Sequence, residues 1–156
     1  MGSIKRILLG IVLIALAAFV AFALKDWLDR KSPQNAVPLL TVEAGGKSVA
    51  VPATGYHWVF AFGHEAERMP SPIHEAFEQG IPKVELHGGE ELDLVFSQQS
   101  DYVLIDRSIE PYTYDFFQPA ENERTVPFEQ GFYVYMVDAT FKGGRVQYYF
   151  TVVVQQ

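Results

Sequence analysis

The eighteen residues from Ile7 to Leu24 (ILLGIVLIALAAFVAFAL) carry no charge, and this run constrains the chain more than any other feature. As a helix rising 1.5 Å per residue it covers about 27 Å, close to the roughly 30 Å hydrocarbon core of a bilayer. Lys5 and Arg6 precede it; Lys25, Trp27, Arg30 and Lys31 follow. Basic side chains at such positions snorkel to headgroups, and an indole settles at the interface. The sequence therefore predicts a transmembrane signal-anchor, with the lipid bilayer as its partner through Ile7 to Leu24. A cleaved signal peptide competes, because Ala21-Phe22-Ala23 has the small-x-small form of a cleavage site. Against it, the run exceeds the usual apolar region of about 7 to 15 residues, and Lys25 follows at once. Counting Lys and Arg on the two flanks does not choose an orientation, since Asp26 and Asp29 sit among the C-terminal basic residues. A very short basic N-terminus ahead of a large domain favours a single-pass protein with that domain extracytoplasmic.

The chain then divides into a basic segment (1–6), the anchor (7–24), a juxtamembrane linker (25–37) and an ectodomain (38–156). Ser32 to Val37 (SPQNAV) reads as a polar, Pro-containing tether. No cysteine is present, which excludes a lipoprotein anchor and disulfide staples. Residues 32–156 hold seven basic against seventeen acidic residues, net −10. That balance argues against nucleic acid as a partner.

The ectodomain reads as all-β. Leu39–Glu43 and Ser48–Val51 flank the turn Ala44-Gly45-Gly46-Lys47, and Tyr56–Phe62 is rich in aromatic and β-branched residues. Val84–His87 and Leu92–Phe96 flank Gly88-Gly89, with Leu92, Leu94 and Phe96 alternating against Glu91 and Asp93. Tyr102–Ile105 and Tyr112–Phe117 are further strands. The strongest signal is a long hairpin, Gly131–Phe141 and Arg145–Val154 around Lys142-Gly143-Gly144. One face of it offers Tyr133, Tyr135, Val137, Ala139 and Phe141, matched by Val146, Tyr148, Phe150, Val152 and Val154. One short helix interrupts, with Ser71 as its cap, Pro72 opening it, Ile73 and Phe77 on one face and Gly80 ending it. Short strands spaced by turns over this length predict an immunoglobulin-like β-sandwich.

Catalytic patterns are absent from the sequence. HEAER (64–68) and HEAFE (74–78) have Arg68 and Glu78 where a zinc protease helix needs a second His. His57 and His87 have no ligand spacing to that pair. Ser48, Ser71, Ser97, Ser100 and Ser108 lack a G-x-S-x-G setting. The glycine pairs open no helix, so no phosphate loop is expected. Glu85, Glu90, Glu91 and Asp93 read as an exposed strand face rather than a calcium site. No metal, no cofactor and no catalytic residue is assigned, and the chain is not expected to be an enzyme. Tyr112–Phe117 (in PYTYDFF) could offer stacking faces to a carbohydrate or the cell wall, although a sandwich core uses such residues readily.

Two resemblances add to this reading. Pro127 to Gly144 (P-x-x-x-G-F-Y-V-Y-x-V-x-A-x-F-x-x-G) with the following YYFTVVV is similar to a pattern in uncharacterised membrane-anchored β-sandwich proteins of Bacillus-like bacteria. That resemblance spans roughly residues 38–155, places Tyr56 and Trp58 in the core at a strand start, and implies no known activity. Locally, Pro52, Thr54, Gly55, Tyr56 and Trp58 resemble the first inhibitory loop of chagasin-type inhibitors of papain-like cysteine proteases. There the loop enters the protease cleft, so the resemblance implies a binding loop made of Thr54, Gly55, Tyr56 and Trp58. It covers about 25 residues, and the family's other two loops have no counterpart. The expectation is a non-catalytic binding or sensory domain with a protein partner at the cell surface. A chagasin-like inhibitor is the alternative, and a cell-wall or carbohydrate binder the third.

Overall fold

The computed structural model describes residues 2–70, 72–78, 80–113, 117–119 and 124–155. Helix α1 (Gly2–Lys31) runs unbroken through the apolar segment, spanning about 45 Å at 1.5 Å per residue. Its Ile, Leu, Val and Phe side chains are exposed along that length. Such a surface suits hydrocarbon, and the helix satisfies its backbone internally. It is a single membrane-spanning anchor, with the β domain on the extracytoplasmic side.

The expected tether takes another form. After Lys31 the chain makes one more helical turn, α2 (Pro33–Ala36), with Pro at its start where a missing N–H does no harm. Ser32 N–H donates to Leu28 O (3.2 Å) and Val37 N–H to Pro33 O (3.2 Å), closing the two helices in turn, with Ser32 at φ −137° and ψ 70° as the break between them. Val37 is buried in the domain core and Ala36 packs against it. A polar-looking segment is thereby docked, because its two apolar residues gain more from the core than from water.

Ten strands are found among the described residues: β1 (Leu40–Ala44), β2 (Lys47–Val51), β3 (Ala53–Val59), β4 (Glu65–Arg68), β5 (Lys83–His87), β6 (Asp93–Phe96), β7 (Tyr102–Ser108), β8 (Phe117–Pro119), β9 (Gly131–Phe141) and β10 (Gly144–Gln155). They form two sheets. The smaller has the order β2-β1-β6; the larger has β4-β3-β10-β9-β7-β8, with β5 also on β10. Along one edge β10 pairs antiparallel with β3 through Gly144–Tyr148 and then parallel with β5 through Thr151–Gln155. One strand therefore serves two neighbours on that side. The domain is mostly β, built of two sheets around one principal core.

That core is the expected hairpin face. All ten side chains named for it, from Tyr133 to Phe141 and from Val146 to Val154, are buried. They pack with Leu40, Val42, Val51, Trp58 and Leu92. The turn Gly45-Gly46, with φ of 55° and 72°, is a two-residue connection that only glycine makes without strain. A smaller cluster covers the other face of the larger sheet. There α3 (Ile73–Glu78) sets Ala76 and Ile73 with Ile81 against Val134 and Tyr149.

Three local expectations are corrected. Residues 60–62 turn away instead of continuing the strand, because Phe60 N–H meets His64 O (2.7 Å) and Gly63 N–H meets Phe60 O (2.9 Å). The strands around Gly88-Gly89 do not pair with each other: β5 joins the larger sheet and β6 the smaller. Tyr112 sits in a turn at φ 63° rather than a strand, and only Phe117 of that stretch enters β8; Tyr114 to Phe116 lie outside the described residues. Ser71, the expected helix cap, also lies outside them, as does Gln79 between the end of α3 and Gly80, which has φ 78°.

Tyr148 ties the anchor side to the core. Its buried hydroxyl donates to Pro38 O at 2.7 Å, directly beyond α2. Tyr148→Phe leaves that carbonyl without its donor and is expected to lower unfolding free energy by about 1–2 kcal/mol. Burial raises the Tyr148 hydroxyl well above its ordinary value of 10.0. Tyr149 is raised by burial and then by Asp138, and Tyr133 by burial and then by Glu129. The unfolded phenols release protons near pH 10 while these stay protonated. Their stabilisation is complete below that pH and is lost as pH rises through the folded values. Urea titrations of the full chain in micelles between neutral pH and pH about 11 should show a falling midpoint, with a shallower fall in Tyr148→Phe. A flat profile would contradict this burial.

Candidate functional site

The four residues expected on a projecting loop, Thr54, Gly55, Tyr56 and Trp58, lie inside β3. That strand is hydrogen-bonded on both edges, to β10 and to β4. Two residues apart on the strand, Tyr56 and Trp58 share the inward face. Trp58 points into the core, 6% exposed, its ring edge-on to Phe141 at 6.2 Å. Tyr56 is half-buried and packs against the same core. Thr54 Oγ1 donates to Gln147 O at 3.0 Å, crossing to β10. A Cβ on Gly55 would come within 2.8 Å of Pro70, so this glycine admits the chain leaving β4. Ala53 to Val59 is a strand with partners on both edges, in keeping with the strand read from Tyr56 onward and extended back to Ala53 by the pairing with β10.

Gly55 and Tyr56 nevertheless border a groove of about 330 Å³ on the outer face of the larger sheet. Met69 and Pro70 with Glu67 and Arg68 form one wall; His57 and Arg145 stand at its end. The floor is polar. Asp138, with its side chain 11% exposed, receives Arg145 Nη2 at 3.3 Å. Gln147 Nε2 donates to both of its carboxylate oxygens, at 3.3 and 3.4 Å. Gln147 Oε1 has no hydrogen-bond partner among the described residues. At the rim His57 Nε2 lies 3.4 Å from Glu65 Oε2, both groups well exposed.

Geometry explains this convergence. In the β9–β10 hairpin Asp138 stands directly opposite Gln147, and Arg145 is two residues along the same face. Their outward direction follows from the inward direction of Val137, Ala139, Val146 and Tyr148. The register was the missing signal. A turn of Lys142-Gly143-Gly144 would offset the strands by one residue, whereas the structure turns through Lys142 and Gly143 alone. A two-residue turn places Asp138 against Gln147 and exposes the pair as a polar interruption in an apolar ribbon.

The remaining candidates are placed as follows. Ser108 is buried and its Oγ accepts the Val134 N–H at 3.0 Å, a backbone partner. Glu90 accepts the His87 N–H at 3.0 Å. No group of three His, Cys, Asp or Glu positioned to hold a metal is found among the described residues. Tyr112 is exposed, but Phe132 meets it at 84°, so that pair forms no flat stacking platform. No family model, curated protein or solved structure matches the chain.

Proposed function

We propose that this protein is a non-catalytic binding module of the extracytoplasmic surface, and that it holds a protein partner in the groove between β3–β4 and the β9–β10 hairpin. The observation that carries this reading is the groove floor. A nearly buried carboxylate, Asp138, is clamped by Arg145 and Gln147 beneath an open apolar wall of Met69 and Pro70. Paired in this way, the charges orient hydrogen bonds toward a ligand and position no nucleophile. Arg68 and Arg145 also offset Glu67 and Asp138, so the groove is close to neutral on a domain of net −10. An ordinary mixed-charge protein segment fits such a surface.

A photo-crosslinking residue at Met69, 73% exposed on the groove wall, tests the assignment in the cells that make the protein. A discrete adduct is expected, lost with Arg145→Glu and absent when the probe replaces Phe128. Equal labelling at both positions, or none at Met69, would refute the groove. The chagasin-like alternative is tested by adding the full chain in micelles to a papain-like protease. With Trp58 in the core and Tyr56 packed against it, no inhibition is expected; inhibition abolished by Tyr56→Ala would transfer the function to β3.

A further inference from the structure

The β3–β4 turn carries an apolar tip with no evident role in the domain. Val59, Ala61, Phe62 and Gly63 are exposed there, and Phe62 is 48% exposed. From Ser48 to His64 the chain contains no Asp, Glu, Lys or Arg, although the domain as a whole is strongly acidic. The tip touches the anchor. The Phe62 ring lies 5.5 Å from Phe22 and 6.4 Å from Phe19, edge-on to both. Phe19 and Phe22 belong to the membrane-spanning run.

Depth follows from helix geometry. Phe22 and Phe19 lie two and five residues before Leu24, the end of that run, or about 3 and 8 Å below it. Because the run only just matches the bilayer core, its end coincides with the hydrocarbon boundary. Above that boundary Trp27 and Lys31, whose Nζ lies 3.8 Å from the indole centroid, mark the headgroup level. Phe62 is therefore level with acyl chains, at the roughly 5–10 Å depth of interfacial anchors.

We infer that the β3–β4 turn is a second membrane contact, inserting Phe62 and Ala61 into the outer edge of the hydrocarbon beside α1. The joint between helix and domain supports this placement. With α2 docked and Asp26 buried beside Arg30 Nε at 3.0 Å, the anchor is not separated from the domain by a free tether. The bilayer is the occupant because the tip is continuous with a surface already facing lipid. The domain is thereby seated against the membrane at two points, with its long strands directed away from the anchor end.

The absence of cysteine makes the test direct. Single-cysteine variants Phe62→Cys, Ala61→Cys and Phe128→Cys of the full chain are labelled with an environment-sensitive fluorophore and placed in phosphatidylcholine–phosphatidylglycerol vesicles. A Leu16→Cys label confirms insertion of α1 in the same preparation. Phe128, 83% exposed, packs beside Gly88 and Gly89 at the opposite end of β10 from the tip, and serves as the aqueous reference. Labels at 61 and 62 should show blue-shifted emission, quenching by a nitroxide near the top of the acyl chain, and slow reduction by dithionite. The label at 128 should show none of these. Ala61→Cys keeps the native Phe62, so a label in lipid there supports the contact even where Phe62→Cys weakens it. Water-like behaviour at both 61 and 62, with Leu16 in lipid, would overturn the inference.

Discussion

Phe150→Ala is expected to remove about 4 kcal/mol of unfolding free energy, within the usual range for emptying a buried aromatic site. Phe150 is 1% exposed and stacks on Tyr135 at 5.0 Å with an 11° interplanar angle. It lies on β10, the strand that pairs with β3, β5 and β9. Collapse around the vacancy would therefore have to move several paired strands at once, which a two-sheet core resists. A domain of this size commonly has only about 5–15 kcal/mol in total, so the variant should fall close to the unfolding threshold. In thermal melts of the full chain in micelles the midpoint should drop by about 15 °C. Val95→Ala, at an exposed position on β6, should stay within about 0.5 kcal/mol of the parent. Equal effects at the two sites would show that the hairpin face is not the core.

The second large effect is expected at Gly144, which opens β10. Its φ of 148° lies where side chains are rarely found, and an added Cβ would sit 2.0 Å from His57 O on β3. Backbone cannot yield as a flexible side chain can, so Gly144→Ala should cost about 3 kcal/mol through strain and separation of β10 from β3. Gly46→Ala provides the contrast. Its φ of 72° also disfavours alanine, though less than 148° does, and nothing lies within 4 Å of the added carbon, so the loss should be about 1–2 kcal/mol. Chemical denaturation of both variants separates the two contributions. Matching losses would mean that neither the contact with β3 nor the added strain at φ 148° costs what is expected.

These positions also show how far the chain could be read without its structure. The inward set on the last hairpin was legible because alternation along a strand assigns faces without knowledge of a partner. Tyr135, Tyr148 and Phe150 needed only their spacing. The Gly143-Gly144 pair was legible as a turn, but not its closeness to Trp58 and His57, because those residues lie some eighty-five positions earlier. The stretch from Pro52 to Trp58 was legible in part. Tyr56 and Trp58 read as strand and core residues while Thr54 and Gly55 also resembled a binding loop, and pairing to β10 and β4 makes Ala53–Val59 an interior strand of the larger sheet. The groove was least legible, since Asp138, Arg145 and Gln147 become neighbours only at the correct hairpin register.

The sequence by itself determined the membrane anchor, the mostly β character of the domain and the inward face of its longest hairpin. Each follows from local composition or periodicity, where hydrophobic burial acts on a segment whatever its partners. The tertiary structure alone decided which strands share a sheet, that Ala36 and Val37 dock rather than tether, that Asp138 meets Arg145 and Gln147, and that Phe62 lies beside Phe19 and Phe22. Those are pairings between distant segments. Their choice rests on register and on competition among many apolar faces, neither of which a single stretch of sequence contains.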